Sequence, residues 1–493
     1  GVFANTDGFK NIKRLKGTFS GDLDNLYLYY GNQALPYQNN IKIESTMDIS
    51  LDDYSFFVIS YRGEETAQIN SLEIIYDCGI VEKNKLPSVF IETDLNSKGN
   101  HLAINSHTTY TPSTVWIADE NNPENSLVQN TAGVRIRGNS TAGQQKKPYR
   151  IKFDKKLSLF GLTKAKNWVL LADYMDGSGM HNWLAEDIAS YTIGMKYVPS
   201  LHHVNLYING DYNGLYCLCE NPDEKEGRLD IDNESLSTNT NVEDISFYLE
   251  HSSSIKSWEK EGRDWFTLVD IEVSKTRMYK LKYPEIEDFE DYNVESDSSE
   301  AFSVYFDYLK ELTSNIWTGI SKKDYSYISS VFDKNSLFAY AIVDCITREN
   351  DHGWKSFKFI RDTDGLIHFG PCWDYDSCSF GHPYIGVFDK DPFSHYTSVN
   401  GSVYVSNGWL QASYTIPEYR TEFYPLLKHF LEDNYDAIMN NYHNELRNIS
   451  DALVDNCNKW QNENISVVFE NIRYVAAYME KRCELLLKTL KNY

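Results

Sequence analysis

Cysteine is scarce in this chain, and no two cysteines are spaced as in a zinc-binding or redox-active pair. The 493 residues include 8 cysteines, and none of them forms a CxxC sequence. Disulfide-rich scaffolds and structural zinc sites both need denser and more regular cysteine spacing. The sequence therefore argues against both classes.

Basic residues are few relative to acidic ones. Lys and Arg total 47 against 71 Asp and Glu, which gives a formal net charge of -24. Such a charge repels nucleic acids and anionic membranes, so neither is expected as the main partner. It also repels phosphate at long range, so any phosphate site must be a local basic pocket helped by a divalent metal.

Long apolar runs are absent as well. No window approaches the run of about 18 apolar residues that indicates a membrane-spanning helix. The chain begins at Gly1 instead of Met, which fits a processed signal peptide or a trimmed chain. Together with an aromatic content of 14%, this favours an extracellular or surface protein.

The predicted elements form a β-rich half followed by an α-rich half. Residues 1–86 alternate short apolar and polar runs and predict a small β-rich module. Strands are predicted between residues 88 and 153 and in a ribbon between 204 and 220. The polar residues 221–301 predict a mobile connection with one strand near 247–250. Amphipathic helices are predicted near 302–317, 335–347, 417–447 and 463–490.

A predicted hairpin in the second half brings acidic residues together. Residues 355–360 and 366–369 have strand composition, and the Asp-Gly pair at 364–365 is a hairpin turn signal. The outer ends of this hairpin carry Asp351 on one side and Asp374 with Asp376 on the other. Three carboxylates in one small volume need a cation, a proton or a basic side chain to offset their repulsion. The alternative interpretation is a polar turn with solvated acids.

A second candidate site is the loop between the predicted strands at 133–137 and 149–153. The loop is rich in Gly, Asn, Ser and Thr, and Arg137, Lys147 and Lys152 add positive charge suited to phosphate. The period of two sends Tyr149, Ile151 and Phe153 to one face of the second strand, and Arg150 with Lys152 to the other. The alternative is an ordinary hairpin with basic flanks.

A helix is predicted over residues 178–193 because apolar residues recur there about once per turn. They are Met180, Leu184, Ile188 and Tyr191. Glu186 lies off this apolar stripe.

Five motifs, in this order, give the chain a resemblance to the spore-coat CotH kinase family, which is atypical and protein-kinase-like. They span roughly residues 86 to 400. The motifs are Arg137–Thr141, Lys146–Phe153, Trp168–Ala172, Asn209–Glu220 and Trp373–Asp376.

The resemblance implies an α+β, protein-kinase-like two-lobed fold behind the small β-rich N-terminal module. Residues 1–86 would be an accessory module and 87–493 the kinase-like domain, with a β-rich N-lobe at about 87–222 and a mainly helical C-lobe at about 223–493. It also implies transfer of the ATP γ-phosphate to Ser or Thr hydroxyls of a surface, coat or secreted protein, with Mg²⁺ or Mn²⁺. Oligomeric state stays open.

The resemblance also implies roles for individual residues. Asp351 resembles the catalytic-loop acid that orients the acceptor hydroxyl, while Asp374 resembles the metal-binding acid that follows the strand pair. Glu186 is placed to pair with Lys147 or Lys152, as the helix glutamate of a kinase does. The complete nucleotide-binding set implied is Arg137, Lys147, Lys152, Glu186 and Glu220.

One departure from the family pattern concerns the second metal site. Five residues after Asp351, where kinases place a metal-binding Asn, this chain has Ser356. A hydroxyl is a weaker, neutral ligand, so Asp376 is expected to take over part of that role.

Two other functions stay open. A non-catalytic surface or coat protein would keep the kinase-like scaffold only for binding another protein. A glycosidase would use Asp351 and Asp374 as its acid and base, but it leaves the basic strands without a role.

Overall fold

The structure, a computed structural model, describes most of the chain, and the described part has a mixed α+β fold. It describes all residues except 78, 139–140, 232–240, 253–264, 271–274, 290–296, 350–355, 382–391, 394–407 and 461–463. Only the backbone is described for residues 252, 265–270, 275–277, 286–287 and 297–301.

The N-terminal module consists of two sheets around a core of its own. Its strands pair in the orders β1-β6-β3-β4 and β5-β2-β7. Alternate residues of these strands, such as Leu15, Leu28 and Phe57, are fully buried between the sheets. The strands are β1 Val2–Ala4, β2 Ile12–Gly21, β3 Leu26–Gly31, β4 Asn39–Lys42, β5 Thr46–Tyr54, β6 Phe56–Tyr61 and β7 Ala67–Tyr76.

The next seven strands close into a barrel in the order β10-β11-β12-β14-β13-β8-β9. In β11, Tyr149, Ile151 and Phe153 are buried in the barrel core, whereas Lys152 is exposed. The predicted alternation along this strand is therefore confirmed. The barrel strands are β8 Ser88–Thr93, β9 Thr111–Ala118, β10 Leu127–Ile136, β11 Tyr149–Leu157, β12 Ala165–Leu171, β13 Leu201–Ile208 and β14 Asp211–Glu220.

A five-stranded sheet with the order β16-β17-β15-β18-β19 carries the acidic hairpin. Its strands are β15 Phe247–Ser252, β16 Trp265–Asp270, β17 Lys275–Tyr283, β18 Phe357–Arg361 and β19 Ile367–Phe369. The predicted strand near residues 247–250 is confirmed by β15, but the prediction of a mobile connection around it is wrong where β16 and β17 lie. β15 is central and pairs with β18, about a hundred residues later in the chain, so the local polar composition gave no sign of its partner.

Seven helices lie in the described part of the chain. They are α1 His181–Ser190, α2 Asp297–Ser321, α3 Tyr325–Val331, α4 Lys334–Thr347, α5 Trp409–Ser413, α6 Pro417–Lys459 and α7 Ile465–Thr489. The four predicted amphipathic runs correspond to α2, α4, α6 and α7. α1 is shorter than predicted, and Glu186, which lies off its apolar stripe, is nevertheless buried at 6% exposure.

The chain forms two compact units. Unit 1 comprises Gly1–Met180, His202–Cys219 and Met439–Ala477. Unit 2 comprises His181–Leu201, Glu220–Ile438 and Tyr478–Tyr493. The module and most of the barrel thus share unit 1 with parts of α6 and α7, while the acidic hairpin belongs to unit 2.

A buried histidine links β13 to α6 inside unit 1. His203 Nδ1 lies 2.5 Å from Glu445 Oε1, and its Nε2 lies 3.0 Å from the Gly179 carbonyl oxygen. Both nitrogens therefore face acceptors, which favours the protonated ring. Burial lowers the pKa of His203, but Glu445, Gly179 and Asp173 outweigh it and raise the pKa above its ordinary value.

This pair predicts a pH-dependent stability. Because the folded-state pKa of His203 is raised, its contribution is complete below the unfolded-state pKa and disappears as pH rises through the folded-state pKa. We expect His203→Gln to lower the melting temperature at pH 6 by at least about 5 °C, and by less at pH 9. Thermal unfolding monitored by circular dichroism at both pH values measures this, with His429→Gln on the exposed surface of α6 as control. Equal losses at both pH values would contradict a charged His203.

Candidate active site

The hairpin that the sequence predicts is present, although Asp351 at one of its ends lies outside the described residues. β18 and β19 pair antiparallel, and Gly365 closes their turn with a φ of +74°. Such a positive φ suits glycine because it has no Cβ to clash with the backbone. The rings of Phe357, Phe359 and Phe369 pack against one another and fix the base of the hairpin in the core.

Ser356 and Asp374 meet at this base. The Ser356 hydroxyl donates a hydrogen bond to Asp374 Oδ2 at 2.7 Å. Both residues have left-handed backbone conformations, with φ of +61° and +75°. Non-glycine residues in this conformation are uncommon and cluster at functional sites, where the surrounding structure holds them.

The next residues are anchored firmly. Tyr375 is fully buried, and its backbone N–H donates a 2.8 Å hydrogen bond to Asn182 Oδ1 of α1. Asp376 is also buried, at 6% exposure, whereas Asp374 is exposed. The chain therefore presents one carboxylate to solvent and holds a second one inside, two residues later.

These side chains offer oxygen donors, the ligands that Mg²⁺ and Mn²⁺ prefer. Among the residues that the structure describes, no group of three or more His, Cys, Asp or Glu is arranged to hold a metal. The predicted third acid, Asp351, lies outside the described residues. The oxygen atoms of Asp374, Asp376 and Ser356 are thus of the kind that a hard divalent cation binds. By themselves they are too few to complete its coordination.

Beside the hairpin lies a cluster of charged side chains that sequence analysis missed, in which Lys358 is buried while Glu250 and Lys282 are partly exposed. The Lys358 ammonium is 3.6 Å from Glu250 Oε2, and Lys282 is 3.3 Å from the same oxygen. Burial alone would raise the pKa of Glu250, but the two lysines lower it to about 2. No local sequence signal pointed to this cluster, because Lys358 and Glu250 lie about a hundred residues apart in the chain.

Glu186 belongs to this cluster. Burial raises the pKa of Glu186 well above its ordinary value, and Lys358 partly offsets that rise. Its Oε2 atom has no hydrogen-bond partner, and the side chain lines a cavity of about 310 Å³ in unit 2. The predicted pairing with Lys147 or Lys152 joins residues of different units and stays a prediction.

Glu220, another predicted nucleotide-binding residue, is buried in a network of its own. Its Oε2 accepts a 2.8 Å hydrogen bond from the Tyr197 hydroxyl, and Oε1 is 3.8 Å from Arg228 Nε. Burial raises the pKa of Glu220 despite these partners. These contacts hold the chain where it leaves β14.

The predicted basic residues occupy different surroundings in unit 1. Lys147 donates hydrogen bonds of 3.0 and 3.1 Å to the carbonyl oxygens of Ala142 and Gln144, so it braces the loop. Lys152 lies outside the barrel over the ring of Tyr110, in a cavity of about 480 Å³. Arg137 continues from β10, and its backbone N–H donates to the Pro148 carbonyl oxygen at 3.1 Å.

A family model described as CotH kinase protein matches residues 134–486. The chain belongs to the CotH kinase family. No curated protein sequence matches it.

The match places all five motifs inside the CotH region, because the first begins at Arg137 and the last ends at Asp376. The N-terminal module lies before the match. Among the described helices, none is both long and apolar enough to cross a membrane.

Proposed function

We propose that this member of the CotH family is a protein kinase that transfers the γ-phosphate of ATP to Ser or Thr hydroxyls of a surface, coat or secreted protein. The proposal includes a kinase-like division of residues 87–493 into an N-lobe and a C-lobe near residue 222. It also includes residence at the cell or spore surface or outside the cell. The observation that carries it is the Asp374 carboxylate, exposed and held by Ser356 at the base of the hairpin.

Each group of residues has a separate role in the proposed reaction. Mg²⁺ or Mn²⁺, held by Asp374, Asp376 and Ser356, supplies positive charge to the phosphates when bound. Asp351 accepts the proton of the acceptor hydroxyl as that oxygen bonds to the γ-phosphorus and the bond to ADP breaks. Arg137, Lys147, Lys152, Glu186 and Glu220 form the proposed nucleotide-binding set.

One observation favours a non-catalytic scaffold as the second candidate. Ser356 stands where the family pattern has Asn, and its hydroxyl hydrogen bonds to Asp374. A serine side chain is shorter than asparagine, and its hydroxyl is a weaker ligand than the amide oxygen, so Ser356 would bind a second metal less tightly. A scaffold descended from a kinase needs no second metal.

A direct assay distinguishes the kinase from the non-catalytic scaffold. The intact chain is incubated with radiolabelled ATP, Mg²⁺ or Mn²⁺ and a Ser/Thr-containing acceptor, and its melting temperature is measured under the same conditions. A kinase shows both metal-dependent stabilisation by ATP and labelled phosphoserine or phosphothreonine. Stabilisation without transfer to any acceptor, including the chain itself, would favour the scaffold. If ATP neither stabilises the chain nor labels any acceptor, the kinase proposal is contradicted.

Ser356→Asn tests the second metal site. Asn tolerates a left-handed backbone better than most residues, so the φ of +61° at this position is compatible with it. We expect the variant to bind Mn²⁺ more tightly in the presence of ATP, by about tenfold, and to raise phosphoryl transfer. Ser356→Ala, which removes the hydrogen bond to Asp374, is the matched comparison. Identical Mn²⁺ affinities for the two variants would place the second metal elsewhere.

A further inference from the structure

Lys358 is an unusual residue for the inside of a protein. Its side chain is 6% exposed, and lysines are rarely so deeply buried unless they are paired. It lies on β18, between the central strand β15 and the hairpin partner β19. A buried ammonium group next to the proposed metal site must be stabilised by specific contacts.

The surroundings of Lys358 supply negative charge from two elements. The Glu250 carboxylate on β15 lies 3.6 Å from its ammonium nitrogen. Glu186 on α1 is close enough to interact electrostatically with it. Two further lysines of β17 face Glu250: Lys282 pairs with the same carboxylate, and Lys280 lies opposite it in the sheet. Lys358 therefore forms an ion pair with the Glu250 carboxylate of the neighbouring strand.

The same side chain also contacts the segment that leads to Asp374. Its ammonium lies 5.8 Å from the centre of the Trp373 ring, within the range of cation–π attraction. Its backbone carbonyl accepts a 3.1 Å hydrogen bond from Gly370 N–H. Two residues earlier, Ser356 holds Asp374 itself. Positions 356 and 358 thus secure the segment 370–374 at three points.

We infer that Lys358 is a positioning residue for the metal-binding acid of this chain. It fixes the Trp373 ring by its charge and thereby sets the direction in which the adjacent Asp374 carboxylate points. Asp374 has a left-handed φ, a conformation that costs free energy and persists only where neighbouring contacts hold it. The contact with Trp373 is one of those contacts. The link to metal binding rests on the proposed kinase function, but the effect on Trp373 does not.

Fluorine NMR of the full chain labelled with fluorotryptophan reads the Trp373 position directly. The chain has 10 tryptophans, and Trp373→Phe assigns the resonance by removing it. We expect Lys358→Met to move or broaden this resonance while the other assigned signals stay in place. The apparent dissociation constant for Mn²⁺ should rise by about tenfold or more, as for other residues that orient metal ligands.

Lys282→Met is the matched control because Lys282 pairs with the same Glu250 oxygen, while Lys358 is the lysine over Trp373. It should leave the Trp373 resonance in place and the Mn²⁺ affinity within about twofold. The double variant Glu250→Gln/Lys358→Met removes the acid together with its cation. It should regain thermal stability relative to Lys358→Met without regaining Mn²⁺ affinity.

An unmoved Trp373 resonance in Lys358→Met would overturn the inference. Equal losses of Mn²⁺ affinity in Lys358→Met and Lys282→Met would also overturn it, since a general charge effect would then explain both. If the wild-type chain binds no Mn²⁺, the metal site of the proposed function is wrong, and the Trp373 resonance alone decides the role of Lys358.

Discussion

Asp374→Asn is expected to reduce phosphoryl transfer by orders of magnitude while the fold stays intact. The substitution removes the negative charge from the exposed carboxylate but preserves its size, so a divalent cation loses its principal ligand. The backbone should tolerate the change, because Asn is among the residues that adopt a φ of +75° most readily. The remaining amide oxygen can still accept the Ser356 hydrogen bond. Transfer from radiolabelled ATP at saturating Mg²⁺ measures the effect.

Asp433→Asn is the matched control for that experiment. Asp433 is an exposed carboxylate on α6 in the same unit, so its loss changes the net charge equally. It should retain wild-type transfer, and both variants should retain the wild-type melting temperature within a few degrees. Wild-type activity in Asp374→Asn would show that this carboxylate does not bind the metal.

Asp351→Asn should separate nucleotide binding from phosphoryl transfer. The proposed task of Asp351 is to orient the acceptor hydroxyl and take its proton, not to hold the nucleotide. We therefore expect metal-dependent ATP binding close to wild type, and transfer reduced at least about a hundredfold, the usual size of a general-base effect. Calorimetry with ATP and Mn²⁺ measures the binding, and single-turnover phosphorylation measures the transfer.

The comparison with Asp374→Asn sharpens this result. The Asp374 variant should lose metal-dependent binding and transfer together, while the Asp351 variant should lose only transfer. Joint loss in Asp351→Asn would identify Asp351 as a metal ligand or a residue needed for folding. Unchanged phosphoryl transfer in Asp351→Asn would show that another residue is the catalytic base.

The sequence by itself predicted those features that depend on neighbouring residues. The Asp-Gly turn and its flanking strand residues gave the hairpin, and the period of two in Tyr149–Phe153 gave the inward face of β11. The long helices followed from amphipathic spacing, although their ends did not. The acids at 374 and 376 were found because they follow a local strand signal, whereas Ser356 was found through the family resemblance, from its spacing after Asp351.

Only the tertiary structure decided how distant segments meet. Strand pairing places β15, β16 and β17, which lie within the range expected to be a connection, in one sheet with β18 and β19. The burial of Glu186, the position of Lys358 under Trp373 and the bracing of the loop by Lys147 also depend on contacts made after folding. Periodicity reports which face of an element is apolar, but the partner of a polar side chain is set by the packing of elements far apart in sequence. For that reason the sequence identified the carboxylates of the candidate site, and the fold identified the lysine beside them.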